Sequence, residues 1–110
     1  MSFTISPRHL SASTDGESIS LQSTSTTLHT GVAGATSFDD LQIWVTNTIG
    51  TTETLTIKVG TSTVVVASVP ANAGHVLAAQ LRVNGGKAVA ATGTTNDALK
   101  VTGRVARWEP

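Results

Sequence analysis

An all-β domain, built as a single antiparallel β-sandwich or small barrel of jelly-roll type behind an extended N-terminal arm, is the fold this sequence predicts. Three observations lead there. Thr and Ser account for 19 and 11 of the 110 residues, and Thr favours strands because its branched Cβ suits a pleated surface. Apolar residues recur with period two in one stretch after another, as in a strand with one covered face. Between those stretches stand short clusters of Gly, Asn, Asp and Pro, which form turns.

Residues 1–25, MSFTISPRHLSASTDGESISLQSTS, are poor in apolar side chains and interrupted by Pro7 and Asp15-Gly16. They read as an extended arm holding one short strand at 18–22, either a loose terminus or a segment that orders on a partner. The folded domain is expected over 26–110. After TTLHT and the turn-rich GVAGATS, the segment FDDLQIWVTNT alternates Leu41, Ile43 and Val45 with Gln42, Trp44 and Thr46, which predicts a half-buried strand. The IGTT turn leads to 54–59, where Leu55, Ile57 and Val59 face inward and Thr54, Thr56 and Lys58 outward. Gly60-Thr61 then leads to STVVVASV, whose consecutive valines 64–66 predict a strand covered on both faces.

PANAGHVLAAQLRV suits either a two-turn helix or a strand; Leu77, Ala79, Leu81 and Val83 keep period two, and a strand is the reading adopted. NGGK predicts a hairpin turn, since Asn and Gly accept the positive φ that tight turns require. KAVAA, the loop TGTTND and ALKVTGRVARW complete seven or eight strands, the last with Leu99, Val101 and Val105 inward.

Seven basic residues balance seven acidic ones, so no net field draws the chain to nucleic acid or to an anionic membrane. No partner of either kind is expected. Charged residues make up only 13% of the chain, against about 25% in an ordinary soluble domain. Cysteine is absent, which removes disulfides, thiolate metal sites and Cys nucleophiles. No apolar run approaches the length of a membrane span, and MSFTISPRHL lacks the basic start and apolar stretch of a secretory signal. Synthesis in the cytoplasm is expected.

Chemistry-bearing patterns are scarce. His9, His29 and His75 fall in no metal-ligand spacing, and His29 reads as a polar residue at a sheet edge. Asp39 and Asp40 are neighbours, so in a strand they point to opposite faces and cannot share acid–base work. Oxygen ligands in TSFDD could in principle bind calcium, but the EF-hand spacing is missing. No G-x-S-x-G elbow is present, and a phosphate loop ending at Gly86-Lys87 would need Gly where Leu81 stands. No enzymatic activity, catalytic residue, cofactor or metal is expected.

The tryptophans point elsewhere. By alternation Trp44 lies opposite Ile43 and Val45, and Trp108 shares a face with Thr102, Arg104 and Ala106. Either these faces are covered within the sandwich, or a bulge changes the parity, or the rings mark an interface, where Trp and Arg are enriched. The last reading makes Trp44, Trp108, Arg104 and Arg107 the candidate interface residues. Monomeric β-proteins guard strand edges with Lys, Pro or bulges, yet 41–49 and 61–69 contain no charged residue. A homo-oligomer of cyclic symmetry, whose copies cover the neutral surface, is the expectation.

STDGESISLQSTSTTLHTGVAG, DDLQIWVTNTIGTTETLTIKVG, VPANAG and ALKVTGRVARW together resemble small virion structural proteins of tailed bacteriophages. The likeness rests on the Thr-rich lead-in ending in T-L-H-T at 27–30, Asn47-Thr48, the T-L-T-I alternation at 54–57, the V-P-A turn at 69–71 and the V-x-G-x-V strand at 101–105. It extends over residues 10–107, through motifs made of turns and alternation. The resemblance implies a capsid decoration, or cement, protein on the outside of the head shell, a homotrimer partnered by the major capsid protein through its arm. It carries over no catalytic residue. A neck, tail or baseplate component is the alternative within virions, and a carbohydrate-binding β-sandwich with Trp44 and Trp108 as sugar platforms is the alternative outside that class.

Overall fold

Alternating burial runs along residues 38–47 and 53–59 of the computed structural model, which describes residues 2–110; Met1 of the expected arm lies outside them. Nine strands follow in chain order: β1 (Thr4–His9), β2 (Ile19–Ser20), β3 (Thr26–Thr30), β4 (Phe38–Asn47), β5 (Glu53–Val59), β6 (Ser62–Val69), β7 (Val76–Val83), β8 (Ala88–Thr92) and β9 (Leu99–Glu109). All pairings are antiparallel. One sheet has the order β1-β9-β4-β7, with β2 also on β9, and the other β3-β8-β5-β6. The two pack face to face as a sandwich. Among the described residues no strand bonds to both sheets, so the barrel alternative falls.

The pairs β2·β9, β3·β8, β4·β7 and β5·β6 are nested one inside the next and alternate between the sheets. At the centre of the nest lies the turn Gly60-Thr61, which joins Val59 to its partner Ser62. Gly60 alone of the two central residues has positive φ, at 59°, as in a type II′ hairpin turn.

Between the sheets, Leu41, Ile43 and Val45 of β4 and Leu99, Val101 and Val105 of β9 meet Leu28, Leu55, Ile57 and Val89 of the other sheet, all essentially buried. Each such side chain contributes about 2 kcal/mol through apolar burial. Leu10 and Leu21 belong to the same core although they come from connecting segments. Leu10 sits over Gly103, where a Cβ would come within 2.7 Å of the Leu10 side chain and 2.9 Å of the Gln42 carbonyl oxygen. Only glycine leaves room there for Leu10.

Several expectations are changed by this arrangement. Of the segment read as an arm, Thr4–His9 forms an edge strand along β9; Pro7 is tolerated because an edge strand has one side without ladder bonds. NGGK is a tight turn with Gly85 and Gly86 at positive φ, but it is not a hairpin: β7 and β8 lie in different sheets. The turn carries the chain across the sandwich. The stretch that suited helix or strand is strand β7, the reading adopted from its period. β6 is an edge strand with one open face, not a strand covered on both, and Val64 and Val66 are 44% and 68% exposed.

Candidate functional site

Trp44, Arg104 and Trp108 share the outer face of the five-stranded sheet, since all three fall on the strand parity opposite to the core residues. Trp44 is half-buried, stacked on the His75 ring at 5.5 Å with 6° between planes, and the Arg104 guanidinium lies 5.7 Å from its centroid. His75 is brought there by a positive φ of 47° and by its backbone N–H, which donates to Thr46 Oγ1. Trp108 is paired across strands with Phe38, their rings stacked at 5.6 Å. Phe3 closes the cluster, 5.8 Å from Phe38 and 6.2 Å from Trp108, and Arg82 lies 3.9 Å over the Phe38 ring. The Trp108 indole Nε1 is covered and has no hydrogen-bond acceptor.

The two tryptophans are therefore not neighbours. Phe38, beside Trp108, and Trp44 are six positions apart on β4, or about 20 Å of strand. Between them a groove of about 660 Å³ is lined by Asp40, Gln42, Gln80, Arg82, Arg104 and Pro7, with Ala106 among its lining residues. Asp40 and Arg82 are cross-strand partners joined by two hydrogen bonds, Nε to Oδ1 at 2.7 Å and Nη2 to Oδ2 at 3.0 Å. That contact raises the Arg82 pKa. Asp40 thus faces outward, and Asp39 inward, as adjacent strand residues must.

Arg107 departs from the other three candidate residues. It falls on the inward parity, and its guanidinium donates through Nε and Nη2 to Asp39 at 2.8 and 3.0 Å. Asp39 is fully buried and also accepts from the Val32 backbone N–H at 3.1 Å and meets His29 Nε2 at 2.8 Å. His29 lies on an edge strand, β3, as expected, but it is buried, its side chain pointing into the sandwich. The Ser11 backbone N–H donates to His29 Nδ1 at 3.0 Å. That nitrogen must be the unprotonated one, which leaves the proton on Nε2, where it is donated to Asp39. Burial pushes the Asp39 carboxyl up, but the hydrogen bonds from Arg107 and His29 outweigh it and hold it below its ordinary value. The same contact raises Arg107.

Ser11, His29 and Asp39 stand close together without forming a nucleophile. Ser11 Oγ accepts from the Thr30 N–H, and the imidazole nitrogen nearest Ser11 is occupied by a backbone N–H. The cluster ties β3, β4, β9 and the segment after β1 together. Among the described residues no group of three or more His, Cys, Asp or Glu is placed to hold a metal ion.

A second surface is defined by β6. It forms one edge of the four-stranded sheet and carries no charged residue. It carries the exposed Val64 and Val66, and on β7, which neighbours it, Val76 and Leu77 are 43% and 45% exposed. Thr54 and Lys58 of β5 are exposed as expected, while Leu55 and Ile57 are buried. The other charge-free segment, 41–49, lies mostly in β4, which is bonded on both sides by β9 and β7, so its neutrality needs no outside partner. Comparison with family models, with curated proteins and with solved structures finds no match to this chain.

Proposed function

We propose that this chain is a non-enzymatic structural protein of a bacteriophage virion: a capsid decoration protein that binds the outside of the head shell as a symmetric oligomer, a homotrimer, with the major capsid protein as its partner. The reading is carried by the β6 edge. An uncharged edge strand that carries exposed valines pairs readily with another chain, and self-association through it covers what the sequence leaves unguarded. An interface of standard size takes about 800 Å² from each partner, roughly one seventh of the 5864 Å² surface of this domain.

The nested strand pairs support a jelly-roll reading of the sandwich, an architecture found among viral capsid and lectin domains. Architecture alone does not assign function; the motifs shared with virion proteins and the unguarded flank supply the rest of the argument. Trp44 and Arg104, exposed or half-exposed on the other sheet, remain available to a shell partner. Arg107 acts inside the fold, and Trp108 helps to close the Phe3–Phe38 cluster at the end of that face.

Light scattering on the purified protein tests the oligomer, and adding it to heads stripped of accessory proteins tests the placement. Trimers that bind the shell at lattice stoichiometry are expected. A strictly single-chain protein that ignores assembled heads would overturn the reading, and a copy number limited to one ring per particle would move it to the neck, tail or baseplate.

A further inference from the structure

We propose that the groove on the outer face of the five-stranded sheet binds a short oligosaccharide bearing a carboxylate group. The proposal does not depend on how copies assemble; it gives the face of Trp44 and Arg104, available above to a shell partner, to a small ligand.

Two rows of outward side chains cross the strands. In one, Gln80, Gln42, Arg104 and His9 are successive cross-strand partners on β7, β4, β9 and β1. In the other, Arg82, Asp40, Ala106 and Pro7 occupy the same four strands. Neighbouring strands are about 4.8 Å apart and the two rows about 7 Å apart, so polar groups recur at short, even intervals across the groove. The small Ala106 and Pro7 keep its floor low on the β9 and β1 side.

Those groups suit hydroxyl recognition. The amides of Gln42 and Gln80 both donate and accept, and Arg82, 3.9 Å over Phe38 and bonded twice to Asp40, is already oriented. Rings stand beyond both ends, Trp44 stacked on His75 at one and Phe38 on Trp108 at the other, outside the lining of the groove itself. Charge selects the class further. Asp40 is the one acidic residue in the groove lining and is spent on Arg82, whereas Arg104 pairs with no carboxylate among the described residues. One unspent cation fits one carboxylate and is too little for a polyanion, whose affinity grows with each phosphate neutralised. An extended peptide is disfavoured for a different reason: the central floor strands β4 and β9 are bonded on both sides, leaving no free backbone to pair with.

An array of neutral and carboxylate-bearing oligosaccharides, probed with the intact protein and followed by calorimetry on the tightest ligand, tests the proposal. Retention confined to carboxylate-bearing members is expected. Arg104→Gln should weaken binding about tenfold or more, the loss of one charge-assisted contact, and the Gln42→Ala/Gln80→Ala pair should do likewise. Lys58→Gln, on the opposite sheet, should leave affinity unchanged. Thermal melts of each variant confirm folding. Retention of no oligosaccharide, equal retention of neutral and acidic members, or affinity that survives Arg104→Gln would each overturn the proposal.

Discussion

His29 Nε2 lies 2.8 Å from Asp39 Oδ2, and the bond joins strands of opposite sheets. A sandwich held together only by apolar contact could slide; this hydrogen bond, with the Arg107 pair behind it, fixes the register of one sheet over the other.

Asp39→Asn should therefore destabilise the fold by about 3 kcal/mol, since it leaves Arg107 without its buried counter-ion. Urea denaturation at neutral pH measures the loss. A change below about 0.5 kcal/mol, the range of ordinary surface substitutions, would remove the clamp from the account of stability.

The same carboxyl predicts a pH dependence. Its folded pKa lies below the ordinary value of 3.8, so the unfolded chain takes up the proton first as pH falls. The stabilisation is complete above the unfolded value and is lost as pH drops through the folded one. The stability gap between the native protein and Asp39→Asn should hold steady from neutral pH to about pH 5 and narrow below about pH 4. A gap that widens in acid would contradict the assignment.

Gly103→Ala should cost about 1–3 kcal/mol through overpacking. The new methyl meets not only the Leu10 side chain, which can turn, but the Gln42 carbonyl, which is fixed in the sheet. A thermal midpoint lowered by several degrees is expected; adding Leu10→Ala should not fully restore it, because the carbonyl contact remains.

Val66→Lys places a charge beside the open edge of β6, the device by which monomeric proteins discourage edge pairing. The expected result is a folded single chain by light scattering, with an unchanged circular dichroism spectrum. An oligomer that persists in this variant would move the self-association surface away from β6.

Phe3→Ala should uncover part of the Phe38–Trp108 pair while costing less than about 2 kcal/mol, since the Phe3 ring is already 42% exposed. Fluorescence in a Trp44→Phe background reads Trp108 alone, and its emission should move to longer wavelength. Unchanged emission would mean that Phe3 does not shield the indole.

Period two made β4, β5 and β9 legible, because a strand with one buried face writes its environment directly into alternation. Turn chemistry was less informative. Gly85 and Gly86 adopt the positive φ that NGGK implies, yet local dihedrals do not determine whether the flanking strands stay paired or part into separate sheets. The valines of β6 were ambiguous for a related reason: β-branched residues suit a pleat whether its second face is covered or bare.

The buried clamp left a trace that alternation could have found. Asp39 shares parity with Leu41 and Ile43, and Arg107 with Val101 and Val105, so opposite charges were both directed inward. Proximity to Trp108 in sequence drew Arg107 to the wrong face. The groove had no such trace, since Gln42, Gln80 and Arg104 meet only through cross-strand pairing of β4, β7 and β9, which one sequence does not disclose.

Among the described residues β5·β6 is the one pairing between consecutive strands; the others join segments far apart in the chain. Such a topology has a cheap first step and expensive later ones, because each outer pair must close a longer loop than the pair inside it. Renaturation should accordingly be slow for a domain this small, in milliseconds to seconds, and should be more sensitive to changes at Gly60-Thr61 than to equally destabilising changes in β1.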